Sequence, residues 1–352
     1  MLKFALIFFV MPSVRNRISV VCELGRFLAN VVNHTEDTSD FHSKLKLASV
    51  HNQWFTPDNL EFCLKHWSEI LTEDNITDWL GRYKIASQPK KVGIVMAGNL
   101  PLVGLHDLIA VLLSGHQAVV KTSSKDEVLM SAVIDFLTEK LPDLKNAIQK
   151  TDKLKDLDAV IATGSNNTAR YFEYYFRNIP HIIRKNRTGV AVLDGSESEE
   201  ELKNLSQDVF RYFGLGCRSI TRLFLPENYD VKILFNAFYK WKDIIHHSKY
   251  ANNYEYNRTI YLMNKEDFFD NNFLILKESD AYHAPIGVLH YSFYHHPEIL
   301  NKELIARQDE IQCIAGRVFT DFDNSVELGQ TQKPGLNDYA DGVDVMRFLE
   351  QL

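Results

Sequence analysis

Several classes of protein are excluded by what this 352-residue sequence lacks. Its four cysteines, Cys22, Cys63, Cys217 and Cys313, stand far apart. With no C-x-x-C pair and no metal-ligand spacing among them, neither a disulfide framework nor a structural zinc site is expected, and a reduced, cytoplasmic setting fits best. No run of about 18 apolar residues occurs, so no transmembrane helix and no stable membrane insertion is predicted. No G-x-G-x-x-G fingerprint is present, and no low-complexity segment or repeat period is visible. Only ten prolines against 45% hydrophobic and 12% aromatic residues exclude disorder and collagen-like architecture. The net charge of −7 argues against a general nucleic-acid surface, leaving only local basic clusters such as Arg184, Lys185 and Arg187 as candidate anion sites.

What is present is a globular chain longer than one ordinary core supports, so two domains are expected. Lys3 precedes a short apolar run, Phe4 to Val10, that lacks a small-x-small cleavage site, and Met11 offers a second start. Residues 1–10 are therefore expected to be an extension of the reading frame. From Arg17 to about Tyr83 the apolar spacing is helical, with Val20, Leu24 and Leu28 on one face, and Thr56-Pro57 marks the start of a second helix.

After Lys91 the pattern changes. Val92 to Gly98 is a continuous apolar run that reads as a strand buried on both faces, ended by Asn99-Leu100-Pro101. A helix over Leu105–Leu113 follows, then a strand over Gln117–Lys121, then a capping box at Ser124–Glu127 opening a helix to Leu141. Asp158 to Thr163 repeats the strand, with Gly164-Ser165 leading into a helix. This alternation predicts parallel sheet topology. Gly164 and Ser165 would stand at a helix N-terminus, where free amides and the dipole favour phosphate, although an ordinary N-cap has the same signature.

The stretch of greatest chemical interest is Asp208 to Pro226. Val209, Phe210, Tyr212 and Phe213 read as the apolar end of a helix, Gly214 and Gly216 permit strained backbone, and Ile220, Leu223 and Leu225 read as a buried strand. The turn between them carries Cys217. A thiol there can act as a nucleophile, and Arg218 beside it favours thiolate; as a free cysteine it can equally be inert packing. Beyond Pro226, a helix is predicted from Asp230 to about Ser248, strands near Thr259–Met263, Phe273–Leu276 and Ile286–Tyr291, a helix over Glu298–Ala315 and an amphipathic last segment, Val343–Leu352. In the pairs His246-His247 and His295-His296 adjacent side chains point in different directions and neither pair has a His or Cys at i+4, so no metal is expected.

Taken in order, Asn99 after one strand, Lys121 at the end of a second, Thr163-Gly164-Ser165 after a third and Cys217 in a Gly-x-Gly-Cys turn resemble the aldehyde dehydrogenase superfamily. More narrowly, Val92 to Pro226, together with the ending Gly329-Gln-Thr-Gln-Lys-Pro-Gly-Leu-Asn-Asp-Tyr-Ala-Asp-Gly342, is similar to the acyl-CoA reductases related to the LuxC subunit of bacterial bioluminescence. The resemblance implies two three-layer α/β domains with parallel sheets, one a Rossmann-like cofactor domain and one catalytic, behind a helical N-terminal region. The expected division is 11–195 for the helical region and NADP-binding domain, 196–318 for the catalytic domain, and 319–352 for a segment returning to the cofactor domain or a subunit interface.

The same resemblance implies that Cys217 takes an acyl group from a thioester while Asn99 donates to the oxyanion. It implies that Lys121, with Thr122 or Ser123 nearby, contacts the adenosine ribose and its 2′-phosphate, and that Thr163, Gly164 and Ser165 face the pyrophosphate, so NADPH is the expected cofactor. Arg184, Lys185, Arg187 and Arg218 are candidates for substrate or CoA binding. The chain departs from hydrolytic relatives in two places. Ile182 to Arg187 holds no carboxylate where those enzymes carry the glutamate that activates water, and Ala281–Pro285 replaces the motif that holds the nicotinamide ribose, with Asp280 as a substitute. The missing base favours reduction of an acyl-CoA, or of an acyl-protein thioester, to the aldehyde. The alternatives are the same chemistry run toward acyl-CoA and an inactive binding scaffold. An acyl-activating synthetase subunit and a second copy of the chain are the expected protein partners.

Overall fold

The computed structural model describes residues 13–35, 37–317, 322 and 324–352. The reading of residues 1–10 as an extension lies outside them. The chain forms two compact units, one of residues up to Lys185 together with Asp344–Leu352, the other Asn186–Val343.

The first unit begins with four helices, α1 (Val14–Asn33), α2 (Ser39–His51), α3 (Pro57–Ile70) and α4 (Glu73–Leu80). α1 starts where the Ser13 side chain accepts from the Asn16 amide, and it buries Val20, Val21, Leu24, Leu28 and Val31. α3 has the expected Thr56 cap and first-turn proline. Alternating strands and helices follow: β1 (Lys91–Val95), α5 (Leu105–Leu113), β2 (Gln117–Lys121), α6 (Glu127–Lys140), β3 (Ile148–Lys150), β4 (Ala159–Thr163), α7 (Asn166–Phe176) and β5 (His181–Arg184). Among the described residues the strands pair in the order β3-β2-β1-β4-β5, all parallel. Val92, Ile94, Val120, Val160 and Ile161 are fully or almost fully buried, as a sheet covered on both faces requires. The sheet order reverses between β1 and β4, the position where doubly wound sheets bind ligands beyond their strand ends.

The second unit contains β6 (Thr188–Val192), α8 (Glu199–Phe210), β7 (Ile220–Pro226), α9 (Ile233–Phe238), α10 (Ser248–Asn264), β8 (Phe269–Asp270), β9 (Ile275–Glu278), β10 (Val288–Tyr294), α11 (Pro297–Ala306), β11 (Ile311–Ala315) and β12 (Ser325–Val326). Its described strands run β12-β11-β6-β7-β10-β9-β8, parallel except for the β8–β9 pair. The last element, α12 (Val345–Glu350), belongs to the first unit. There His116 Nε2 lies 2.9 Å from the Leu349 carbonyl, and the Tyr83 hydroxyl donates to Asp344 over 2.8 Å.

Three local expectations are corrected. Thr259–Met263 is the end of α10, a helix that buries little besides Tyr250 and Tyr254, so its apolar residues face outward. The helix expected over Glu298–Ala315 stops at Ala306, and Ile311–Ala315 is a fully buried strand. The cap of α6 is Asp126, and its side chain makes no capping bond because it turns inward. Among the described residues no helix is long and apolar enough to cross a membrane.

Candidate active site

In the first unit, parallel pairing sets Val95 level with Lys121 on one side and with Ala162 on the other. The ends of β1, β2 and β4 therefore lie side by side, and the residues singled out after them share one edge of the sheet. The chain leaves β1 through the loop bearing Asn99, which is half-buried. Asp126 accepts the Leu102 amide over 2.8 Å, holding a leucine whose φ of +53° is strained for a branched side chain. Asn52 donates to the carbonyls of Gly98 and Lys125, each over 3.4 Å, and the Cys63 thiol donates to the Pro101 carbonyl. Asp126 is buried, its Oδ1 has no hydrogen-bond partner among the described residues, and burial pushes its carboxyl well above the usual range.

Lys121 stands exposed at the tip of β2, and Thr122 and Ser123 behind it are half-buried. Across the switch point, Ser165 caps α7 by accepting the Thr168 amide, which settles the local geometry as a regular cap with an exposed first turn. An ammonium, two hydroxyls and a helix N-terminus along one sheet edge are a donor set that suits a dinucleotide's phosphates and ribose hydroxyls.

The basic residues of 184–187 do not form a cluster. Both ends of the Arg184 guanidinium bind Asp107 at 2.6 and 2.8 Å, with both side chains buried. Lys185 pairs with Glu173 over 2.8 Å. Arg187 lies in the second unit, where it donates to the Gln308 carbonyl and pairs with Asp341 at 3.3 Å. Each of these charges already has a protein partner. The carboxylate that does reach the end of β5, that of Asp107, is neutralised by Arg184.

In the second unit the turn between α8 and β7 presents Cys217. α8 opens on a full capping box, Ser198 with Glu201, and its apolar face buries Leu202, Leu205, Val209 and Phe210. The apolar residues expected to continue the helix instead take left-handed backbone, Tyr212 at φ +55° and Phe213 at φ +60°, followed by Gly214 at +74°. Left-handed conformation costs roughly 1–2 kcal/mol per non-glycine residue. It turns the chain sharply, so that Cys217 is half-exposed while Cys22, Cys63 and Cys313 are buried. Burial raises the thiol of Cys313 to about 11.

The turn is fastened by residues that local patterns did not single out. The Gly216 amide donates to Ser219 Oγ over 3.2 Å, and Arg218 Nε donates to the Thr331 carbonyl over 2.7 Å. Thr331 is in turn gripped by Asp208, whose carboxylate accepts the amides of Gly329 and Thr331 and the Thr331 hydroxyl at 2.6, 3.0 and 2.8 Å. Asp208 and Thr331 are both fully buried. The Asp280 side chain, suggested as a ribose ligand, is fully exposed at 3.7 Å from Arg222.

Comparison with known proteins gives a family and a fold. A family model described as acyl-CoA reductase (LuxC) matches residues 13–235. No curated protein matches the chain in sequence. Among solved structures, proline utilization A with proline bound in remote sites is similar with a TM-score of 0.63 and 16% identity, over 87% of this chain and 36% of that one. The chain thus spans little more than a third of that protein. An NAD-dependent aldehyde dehydrogenase from Sinorhizobium meliloti gives 0.62 and 11%, over 92% and 73%. A glyceraldehyde-3-phosphate dehydrogenase from Methanocaldococcus jannaschii complexed with NADP gives 0.61 and 10%, over 89% and 77%. At these identities the likeness is one of fold: an aldehyde dehydrogenase-like α/β architecture.

Proposed function

The chain belongs to the acyl-CoA reductase (LuxC) family, and on that premise we propose that it reduces an acyl-CoA, or an acyl-protein thioester, to the aldehyde with NADPH through a thioester on Cys217. The observation that carries this reading is the exposure of one thiol among four, on a strained turn next to Arg218. The Cys217 thiolate adds to the thioester carbonyl, the carbon–sulfur bond to CoA breaks, and the departing CoA thiolate takes a proton from solvent. The acyl group stays on Sγ. Asn99 and the Cys217 amide act as oxyanion donors; one preorganised donor typically lowers such a barrier by ~3 kcal/mol.

Lys121, Thr122 and Ser123, with Thr163, Gly164 and Ser165, hold the cofactor, and NADPH when bound supplies the hydride. A nicotinamide cofactor is supported by the two neighbours described with NAD and NADP; the preference for NADPH rests on the hydroxyls beside Lys121. The thiohemiacetal left on Cys217 collapses to release the aldehyde and return the thiolate. Hydrolysis does not compete, because Ile182 to Arg187 carries no carboxylate and Asp107 is bound to Arg184.

Incubation with radiolabelled acyl-CoA in the absence of cofactor is expected to label the wild type on Cys217 and to leave Cys217→Ala unlabelled. Addition of NADPH is expected to release the label as aldehyde, faster than NADH does. Equal labelling of both proteins sinks the mechanism.

A further inference from the structure

The Asp208 carboxylate has no place in the chemistry just described, yet it accepts three hydrogen bonds beside the nucleophile turn. It sits at zero exposure in the last turn of α8, nine residues before Cys217. Its three donors come from a segment more than 120 positions away in the sequence. That segment does not end at the carboxylate. The Thr331 carbonyl receives Arg218 Nε over 2.7 Å, and Gln332 Nε2 donates to Ser219 Oγ over 3.4 Å, the same oxygen that receives the Gly216 amide. The residues immediately before and after Cys217 are therefore both tied to 329–332, and 329–332 is tied to Asp208.

The glycine at 329 is required by this arrangement. Its φ is +90°, and an added Cβ would stand 2.8 Å from Asn204 Cβ, so the segment approaches α8 as closely as a backbone can. Two alternative uses of Asp208 fail on the same geometry. As a general base it would need an oxygen free to accept a reacting proton, and both of its oxygens are already engaged. As a simple helix residue it would not need burial against three convergent donors.

We infer that Asp208 and Thr331 form a clamp that positions Cys217 for attack on the thioester, acting through Arg218 and Ser219. Asp208 is a positioning residue, since it touches neither substrate nor cofactor. The clamp deepens the proposed function and rests on Cys217 being the nucleophile. A buried ion that accepts several hydrogen bonds from a distant segment fixes that segment's register, and here the register decides where the thiol points.

The test compares Thr331→Val, Thr331→Ser and Asp208→Asn with wild type in three measurements on the full chain: single-turnover acylation by acyl-CoA, alkylation of Cys217 by iodoacetamide, and NADPH affinity. Thr331→Val removes the hydroxyl and keeps the shape, and is expected to slow acylation about tenfold to a hundredfold, in line with a small misplacement of a reacting group. Thr331→Ser is expected to restore the wild-type rate, and NADPH affinity is expected to stay unchanged in both. Asp208→Asn places an amide against the Gly329 N–H and is expected to behave as Thr331→Val; if it does not fold, the Thr331 pair decides alone. Wild-type acylation and alkylation rates in Thr331→Val overturn the clamp, as does equal loss in Val and Ser variants. A wild type that takes no acyl label overturns the proposed function instead, and the alkylation rates then still decide the clamp.

Discussion

The loop that carries Asn99 and the turn that carries Cys217 are each braced by a buried aspartate, and the two aspartates are used very differently. Asp208 accepts three hydrogen bonds, from Gly329, Thr331 and the Thr331 hydroxyl. Among the described residues Asp126 accepts one, from Leu102, and its second oxygen has no partner. Both lie out of water and both are shifted upward by desolvation, Asp208 to about 6. The difference teaches that burial and usefulness are separate properties of a carboxylate. Where donors converge, the charge is a fastener; where a single donor arrives, much of the desolvation cost stands uncompensated, and the loop is held by its neighbours Asn52 and Cys63 as well.

Substitutions separate the two. Asp208→Ala leaves three buried donors unpaired and is expected to cost about 3 kcal/mol in urea unfolding; a loss below that of the matching Asp126 variant breaks the comparison. Gly329→Ala, which forces a side chain into φ +90° and against Asn204, is expected to cost about 2 kcal/mol and to lower the acylation rate as the Thr331→Val change does. Asp126→Ala orphans only the Leu102 amide, so about 1 kcal/mol is expected. Asp126→Asn keeps an acceptor for Leu102 and removes an under-used charge, so its stability at neutral pH should equal or exceed that of wild type, whereas Asp208→Asn should fall below it.

The two aspartates also bear on pH dependence. The Asp208 carboxyl titrates at about 6 in the fold and at 3.8 ordinarily, so the native state holds a proton there that the unfolded chain has released. Its contribution makes stability fall as pH rises from about 3.8 to 6 and level off above, with a slope of at most about 1.4 kcal/mol per pH unit. Asp208→Asn is expected to remove that component from the unfolding profile. An unchanged slope would mean that Asp208 is not the group responsible.

Much of the first unit could be read from local pattern. Continuous apolar runs such as Val92–Val95 and Ala159–Thr163 identify strands covered on both faces, and the residues that end them place Asn99, Lys121 and Ser165 on one sheet edge. Patterns failed where a short apolar string has two physical meanings. Ile311–Ala315 is buried whether helical or extended, and nothing in its composition reports the turn after Ala306. Thr259–Met263 is a short apolar run that reads as a strand, yet it ends a helix whose apolar residues face outward. Tyr212 and Phe213 read as helix, since no local rule predicts two aromatic residues in left-handed backbone. The Arg184–Asp107 pair and the Asp208–Thr331 clamp join residues 77 and 123 positions apart, separations that no window of sequence spans. Chemical character is thus written in local sequence, and the supports that hold it come from long-range pairing.

The position of α12 bears on the order in which the chain can be assembled. Because Asp344–Leu352 belongs with the residues up to Lys185, everything from Asn186 to Val343 is inserted into an interrupted unit. During synthesis the inserted unit has all its strands before the first unit has its last helix. Until then His116 lacks its Leu349 carbonyl, and the Tyr83 hydroxyl lacks Asp344. The first unit is thus the first begun and the last closed: the residues that lead into its strands β1 and β2 gain their contacts with 344–349 only after the whole inserted unit has been made.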